Sequence, residues 1–404
     1  MTRPDPKASA RAVGAPSFLL GTSALYSADL ALSVVLTWSV LALSHSPFLA
    51  ALALIANQAP HVAVGIVGVE RSLGRWRSSG WLGLLGSVVA LLALGIGLRP
   101  AIGLQVLLLI AAGATEGWAN AVAVPVGQAW WMQATPRSLR VRAARDYEVA
   151  SRVPRLLAPV AGGLLLADNR VALALSAIAA GLLASAWLWR RLEATAPGPG
   201  RRLGARDSWA VLRHDRWLAA ALAVRGLANV VWPAFTIGLP WLVLQRLHQT
   251  APTYGLILTV YGVSTLVLTI FGSRFSAVGL RRWYGLAWAA TGLAFVGLAQ
   301  APTLAWAVAA VLLAGLGSPI IHMALDSHIG REVPAADQGS VFAFQRLIMG
   351  VMGLLGLLAV GAGYRSVGPA TVLTAAGAVM GAAGLVAALT QARASGSRTA
   401  PAPP

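Results

Sequence analysis

The sequence predicts an all-α membrane protein of twelve transmembrane helices, arranged as two pseudo-symmetric six-helix bundles. Three observations predict it. Hydrophobic residues make up 57% of the 404 positions and charged residues only 11%, with a mean hydropathy of +0.71; an average soluble domain carries about 25% charged residues. Apolar runs of the ~20 residues that a helix needs to cross the hydrocarbon core recur along the whole chain. The second half also repeats the spacing of the first.

The first six runs are 17–43, 48–69, 79–98, 101–126, 146–167 and 170–190. A polar, arginine-rich segment with Pro and Gly follows at 191–216, and the second six runs are 217–243, 253–273, 283–300, 303–325, 339–362 and 368–391. Within hydrocarbon every backbone group needs a partner in its own segment, so each run is read as a helix. The domains expected are an N-terminal bundle over 1–190, a cytoplasmic loop over 191–216, and a C-terminal bundle with a polar tail over 217–404. The polar stretch Met1 to Pro16 leads into a run too long for a signal-peptide core, so the first span is read as retained.

The net charge of +18 would suit a nucleic-acid binder, but its distribution argues otherwise. The tails and alternate loops on the side of the N-terminus hold 23 basic residues, and the opposite loops hold 4. That asymmetry places both termini in the cytoplasm, which an even number of spans requires. The absence of cysteine excludes disulfides, thiolate metal sites and Cys nucleophiles. The single lysine, Lys7, lies in the tail, and no phosphate-binding Gly-rich loop precedes a Lys-Ser/Thr pair, so ATP-driven work is excluded. No nucleophile–base arrangement stands out, so neither an enzyme nor a cofactor is expected.

The internal repeat can be followed residue by residue. Trp38-Ser-Val-Leu41 and His45 match Trp241-Leu-Val-Leu244 and His248 at an offset of 203. Gly68 and Arg77 match Gly272 and Arg282 at offsets of 204 and 205, and Arg152 matches Arg346 at 194. Two six-helix repeats of the same orientation, joined by a basic cytoplasmic loop, are a transporter architecture.

Three segments carry a family resemblance. Between the second and third runs lies Gly65-Ile-Val-Gly-Val-Glu70-Arg71-Ser-Leu-Gly74-Arg75-Trp-Arg77, with a second copy at Gly272-Ser-Arg-Phe-Ser-Ala-Val-Gly279-Leu-Arg281-Arg282. The fifth run holds Ala158-Pro159-Val-Ala-Gly162-Gly163, and Val333-Pro334-Ala-Ala-Asp337-Gln-Gly339 precedes the eleventh. The chain resembles the major facilitator superfamily over its whole length, and within it the branch of enterobactin exporters and macrolide-type efflux proteins. The resemblance implies that Glu70, Arg71, Gly74, Arg75, Arg281 and Arg282 act in gating loops, and that Pro159, Gly162 and Gly163 form an exporter-type helix motif. The chain departs from the pattern at several points. Glu70 stands for the usual Asp, the second loop lacks an acidic residue, Ala158 replaces Gly, and the fourth run carries Glu116 in place of an arginine.

An ionisable group at mid-bilayer costs at least ~2.5–3.5 kcal/mol on insertion scales and is a functional candidate by default. Asp29, in the middle of the first run, is read either as the group that couples proton entry to substrate exit or as a hydrogen-bonding cap on a neighbouring helix. Glu116, with Asn120 one turn on, is the second proton-coupling candidate, or else the partner of Arg152 or Arg155 in an internal ion pair. Asn57, Gln58 and His61 form a polar patch in the second run that can hydrogen-bond substrate. Arg225 and Asn229 in the seventh run either line the cavity or, for Arg225, snorkel to the cytoplasm. Trp38, Trp118, Trp232 and Trp288 lie deep enough either to line an apolar pocket or to face lipid, whereas Trp81, Trp130, Trp131, Trp217 and Trp283 are expected at the interfaces. Pro233, Gly238 and Pro240 are expected to kink or interrupt the seventh helix. His322 and Asp326 share a helix face and His328 points elsewhere, so a polar network at the cytoplasmic gate is expected and no metal site.

The resulting expectation is an exporter in a bacterial cytoplasmic membrane, working as a monomer by alternating access and proton antiport. Its substrate would be a small apolar or amphipathic drug, siderophore or metabolite. Its partners are lipid, substrate and protons, with no nucleic acid. The alternatives are an importer or facilitator of a nutrient and a non-transporting membrane partner protein.

Overall fold

The computed structural model describes residues 15–67, 78–134, 146–147, 149–167, 170–190, 212–272 and 277–396. Among these residues the chain forms twelve helices of twelve residues or more. The first six are α1 (Ala15–Ser44), α2 (Pro47–Val67), α3 (Ser78–Gly97), α4 (Ile102–Ala134), α5 (Pro154–Leu165) and α6 (Val171–Arg190). The second six are α7 (Arg216–Trp241), α8 (Ala251–Gly272), α9 (Ala277–Ala299), α10 (Leu304–Glu332), α11 (Ala335–Ser366) and α12 (Pro369–Gly396). Ten of them are long and apolar enough to cross a membrane; α5 and α9 are the other two. Helix α9 carries Arg281 and Arg282 in its first turns. Helix α5 is short because Pro154, at its first position, has no N–H to donate. The chain nevertheless holds helical dihedrals through Val153 (φ −53°, ψ −43°), so the helical turn at 149–152 runs into α5 across a gap in the hydrogen-bond ladder.

The chain divides into two compact units, residues 1–201 with 250–259 and residues 202–249 with 260–404. In the first, α1 packs on α2, α4, α5 and α6, α2 packs on α4, and α3 packs on α4 and α6. In the second, α7 packs on α10, α11 and α12, and α9 packs on α10 and α12. Raising each helix number by six converts the pairs α1–α4, α1–α5, α1–α6, α3–α4 and α3–α6 into those of the second unit. The pair α2–α4 finds its counterpart where Thr265 on α8 donates to the Gly315 carbonyl on α10 at 3.2 Å. The two units are therefore built to one plan.

Helix ends follow local chemistry. Asp215 caps α7 by accepting the Leu218 N–H at 2.9 Å, and Thr303 caps α10 through the Trp306 N–H at 3.3 Å, which satisfies donors left free at a helix start. Gly368, at φ +83°, turns the chain from α11 into α12, whose first residue is Pro369. The repeat-related His45 and His248 both take φ 51°, a left-handed conformation uncommon outside glycine, and each follows the end of its unit's first helix. Helix α7 runs unbroken through Pro233 and Pro240, and the disturbance expected there is displaced to a π-helical segment at Leu242–Arg246. Arg246 in that segment donates to the carbonyls of Ala299 and Gln300 at the end of α9, where a cation complements the helix dipole.

With no hydrophobic drive between helices in lipid, close packing falls to small residues. The α9–α12 contact shows this: a Cβ added to Gly285 would lie 2.6 Å from the Gly384 carbonyl oxygen, and one added to Gly377 would lie 2.6 Å from that of Gly292. The two backbones touch along this seam.

Candidate functional site

In the first unit the crossing of α2 and α4 assembles the polar candidates. A Cβ on Gly117 would collide with the Asn57 backbone, and one on Gly113 would sit 3.3 Å from the Ala53 carbonyl oxygen. Gly113-Ala-Thr-Glu-Gly117 thus brings the two backbones together in the G-x-x-x-G manner of membrane helix pairs. The approach carries Asn57 onto Glu116: the Asn57 amide donates to Glu116 Oε2 at 2.9 Å and to the Gly113 carbonyl at 3.2 Å. Asn120, one turn along α4, donates to Glu116 Oε1, and Gln58 donates to Asn57 Oδ1 at 3.0 Å. Glu116 is 0% exposed and Asn57 and Asn120 are buried, whereas Gln58 is exposed. Asp29, half-buried on α1, lies within electrostatic reach of both Glu116 and His61. His61, one turn beyond Asn57, has its Nδ1 buried without a hydrogen-bond partner.

Six of the predicted candidates therefore meet on three helices: Asp29, Asn57, Gln58, His61, Glu116 and Asn120. Among the described residues the hydrogen-bond partners of Glu116 are the two asparagine amides, where an ion pair with Arg152 or Arg155 was the alternative expected from the sequence. A hydrogen bond contributes ~0.5–1.5 kcal/mol net, so the two amides offset part of the cost of burying the carboxyl group. The glycine pair that makes the cluster possible was visible in the sequence as Gly113–Gly117 but is absent from the expectations above.

The Pro159, Gly162 and Gly163 motif lies in the same unit. Gly162 packs on α1, where a Cβ would sit 3.3 Å from the Ala31 carbonyl oxygen, and Gly163 packs on the first turn of α8, 2.6 Å from that of Ala251. Thr259 donates to the Leu156 carbonyl at 2.9 Å, Tyr254 and Thr37 share a hydrogen bond at 3.1 Å, and Trp38 stacks on Tyr254 at 5.8 Å. The small residues thus serve close helix approach.

In the second unit Arg225 is 4% exposed; it is buried rather than snorkelling. Its Nη2 meets His322 Nδ1 at 3.1 Å and its Nε donates to Met349 Sδ at 3.1 Å, while Nη1 is buried with no hydrogen-bond partner. Asp326 and Tyr284 act on the guanidinium electrostatically. A buried donor left unsatisfied costs about 1–3 kcal/mol, more when charged. Asn229 donates to the Arg225 carbonyl at 2.8 Å. Trp232 opens an aromatic cluster with Phe235 at 5.5 Å, Phe295 at 5.6 Å and Tyr261 at 6.1 Å.

His328 does point away from His322 and Asp326: its Nε2 pairs with Asp215 Oδ2 at 2.5 Å and its ring lies 4.3 Å from that of Trp217. Arg281 covers Trp217 at 4.7 Å, and Arg282 is exposed. Glu70, Arg71, Gly74 and Arg75 lie outside the described residues, as does the side chain of Trp130. No group of three or more metal-ligating side chains occurs among the described residues. Trp131 is buried in a stack on Phe18 at 5.0 Å, and Trp118 is 37% exposed.

Residues 225–404 match the Major Facilitator Superfamily family model. No curated protein matches the sequence. Among solved structures, a POT family transporter in complex with a thioalcohol-conjugated peptide aligns with a TM-score of 0.74 at 10% identity, covering 94% of this chain and 96% of that one. A peptide transporter POT in complex with sulfate gives 0.72 at 12% identity over 94% of each chain. A bacterial homolog of the human lysosomal transporter Spinster, in an inward-facing and unoccupied conformation, gives 0.64 at 14% identity over 96% of each. At these identities the likeness shows the fold alone, the all-helical major facilitator fold, with ten helices long and apolar enough to cross a membrane.

Proposed function

We propose that the chain is a secondary transporter that exports a small apolar or amphipathic molecule in exchange for protons, with Asp29 and Glu116 as the proton-carrying groups. The observation that carries this reading is the Glu116 cluster: a carboxyl group wholly removed from solvent in a membrane-crossing helix, held by two amides, with a second carboxyl group in electrostatic reach. Intramembrane carboxyl groups of this kind mark proton relays. His61 on the adjoining turn of α2 extends the chain of exchangeable groups. Export as the direction rests on the Pro159, Gly162 and Gly163 resemblance, and the drug, siderophore or metabolite class rests on the sparse polar content of the apolar runs. The proposed setting is a bacterial cytoplasmic membrane with both termini cytoplasmic.

The test uses inverted membrane vesicles holding a respiration-driven pH gradient read by a pH-sensitive dye. Apolar cations, macrolides, siderophores and short peptides are added to wild type, Asp29→Asn and Glu116→Gln. At least one compound is expected to dissipate the gradient in wild type and in neither variant, while both variants still exchange labelled for unlabelled solute. A wild-type response that survives in both variants would overturn the assignment of these carboxyl groups. Solute accumulation in right-side-out vesicles driven by an inward proton gradient would establish import instead.

A further inference from the structure

We propose that Arg225, Asn229 and Trp232 form the recognition stripe for a carboxylate-bearing apolar molecule, the carboxylate taken by the Nη1 edge of Arg225 and the apolar body lying along the aromatic cluster that begins at Trp232. The inference deepens the transport reading and rests on it for its physiological role. It concerns equilibrium binding within the second unit, so it can stand or fall separately from proton coupling.

The stripe follows from helix geometry. Residues 225, 229 and 232 are spaced i, i+4, i+7 and share one face of α7, with about 10 Å of rise from the arginine to the tryptophan at 1.5 Å per residue. One end is cationic. Arg225 has committed Nη2 to His322 and Nε to Met349, a sulfur that accepts only weakly. Nη1, with two N–H donors, has no partner although it is buried. Buried polar groups without partners are rare in native proteins, and each calls for an explanation such as an acceptor that comes and goes. The planar guanidinium suits a carboxylate in particular. Halfway along, Asn229 spends one amide hydrogen on its own helix and keeps its remaining polar capacity for a ligand's polar neck. The other end is aromatic: Trp232 and Tyr261 are half-buried, and they are backed by Phe235 and Phe295, which are buried and stack at 5.3 Å with an interplanar angle of 13°.

The charges facing Arg225 limit what it selects. Asp326, one turn from His322 on α10, acts on the same guanidinium. It opposes the positive potential, so a multiply charged anion gains little. A monoanion that matches the geometry of the free edge gains the hydrogen bonds.

The experiment measures equilibrium binding of radiolabelled naphthoate, naphthamide and naphthylmethylamine to the full-length protein in nanodiscs. Three probes of one shape then differ only in head group. Wild type is expected to bind the acid about tenfold or more tightly than the amide, the margin of charge-assisted over neutral hydrogen bonds, and the amine most weakly. Arg225→Gln is expected to bring acid and amide to parity, Arg225→Lys to keep part of the preference, and Trp232→Ala to weaken both probes alike. Gly103→Ala, in the first unit where an added Cβ meets nothing within 4 Å, is expected to leave the acid-to-amide ratio unchanged. Equal binding of acid and amide to wild type, preference for the amine, no binding of any probe, or a ratio preserved in Arg225→Gln would each overturn the proposal. Should Arg225→Gln fail to fold, the wild-type ratio and the Lys variant decide the matter. A failed proton assay alongside an intact acid preference would overturn antiport and leave this site standing.

Discussion

Glu116 and Asp215 show how single side chains carry two obligations at once. Both oxygens of Glu116 are occupied by amide donors from two different helices, so removing either donor strands part of a buried acceptor. Asn120→Ala is expected to lower the free energy of unfolding by about 1–3 kcal/mol, the cost of a buried acceptor left unsatisfied, measured by thermal denaturation in detergent; a change within experimental error would show that the amide is dispensable. Asp215 caps α7 with one oxygen and holds His328 with the other. Asp215→Ala is expected to cost at least the ~1 kcal/mol of a lost cap. Asp215→Asn keeps an acceptor oxygen and should cost less, and the reverse order would count against the capping role. The members of the Glu116 cluster were legible one by one, because an amide or carboxyl group inside an apolar run is conspicuous. Their meeting was not, since it depends on where two helices cross. The same limit applied to Arg225, whose burial against His322 and Met349 depends on residues about 100 and 125 positions along the chain.

At the scale of the helix, glycines govern approach. A Cβ at Gly117 meets the Asn57 backbone, whereas one at Gly353 meets nothing within 4 Å. Gly117→Ala is therefore expected to destabilise by about 1–3 kcal/mol through overpacking and to abolish whatever activity depends on Glu116. Gly353→Ala should be neutral or stabilising by up to ~1 kcal/mol, since glycine weakens a helix interior. Equal effects at the two positions would mean that the α2–α4 crossing tolerates separation. The runs of apolar residues located the helices well, because hydrocarbon leaves a backbone no other solution. Their irregularities were harder to locate. Pro233 and Pro240 pointed to a break inside α7, but the helix accommodates both and relaxes only afterwards, as the π-helical segment. Pro154 drew no attention in the sequence, yet it opens the ladder at the head of α5.

For the whole molecule, the charge asymmetry across the loops yields an orientation that can be tested in the natural background, because the chain contains no cysteine. Gln300→Cys, at the end of α9, is expected to react with an impermeant maleimide applied to intact cells. Gly330→Cys, in the last turn of α10, is expected to react only in inverted vesicles. Reversed labelling would invert the topology. The plan of two matching units was legible through the Trp38–His45 and Trp241–His248 segments, and the shared left-handed backbone at the two histidines marks them as equivalent corners. The offset between the halves is 203 at those corners but 194 at Arg152 and Arg346, a difference of nine residues. Nine residues are about two and a half helical turns, so a difference of that length inside a helix would rotate every later side chain to the opposite face. Five helix pairings recur in both units, so the change of offset falls in a connection, and in the second unit only Val333 and Pro334 separate α10 from α11. The repeat is thus kept in the phase of the helices and lost in the lengths of what joins them.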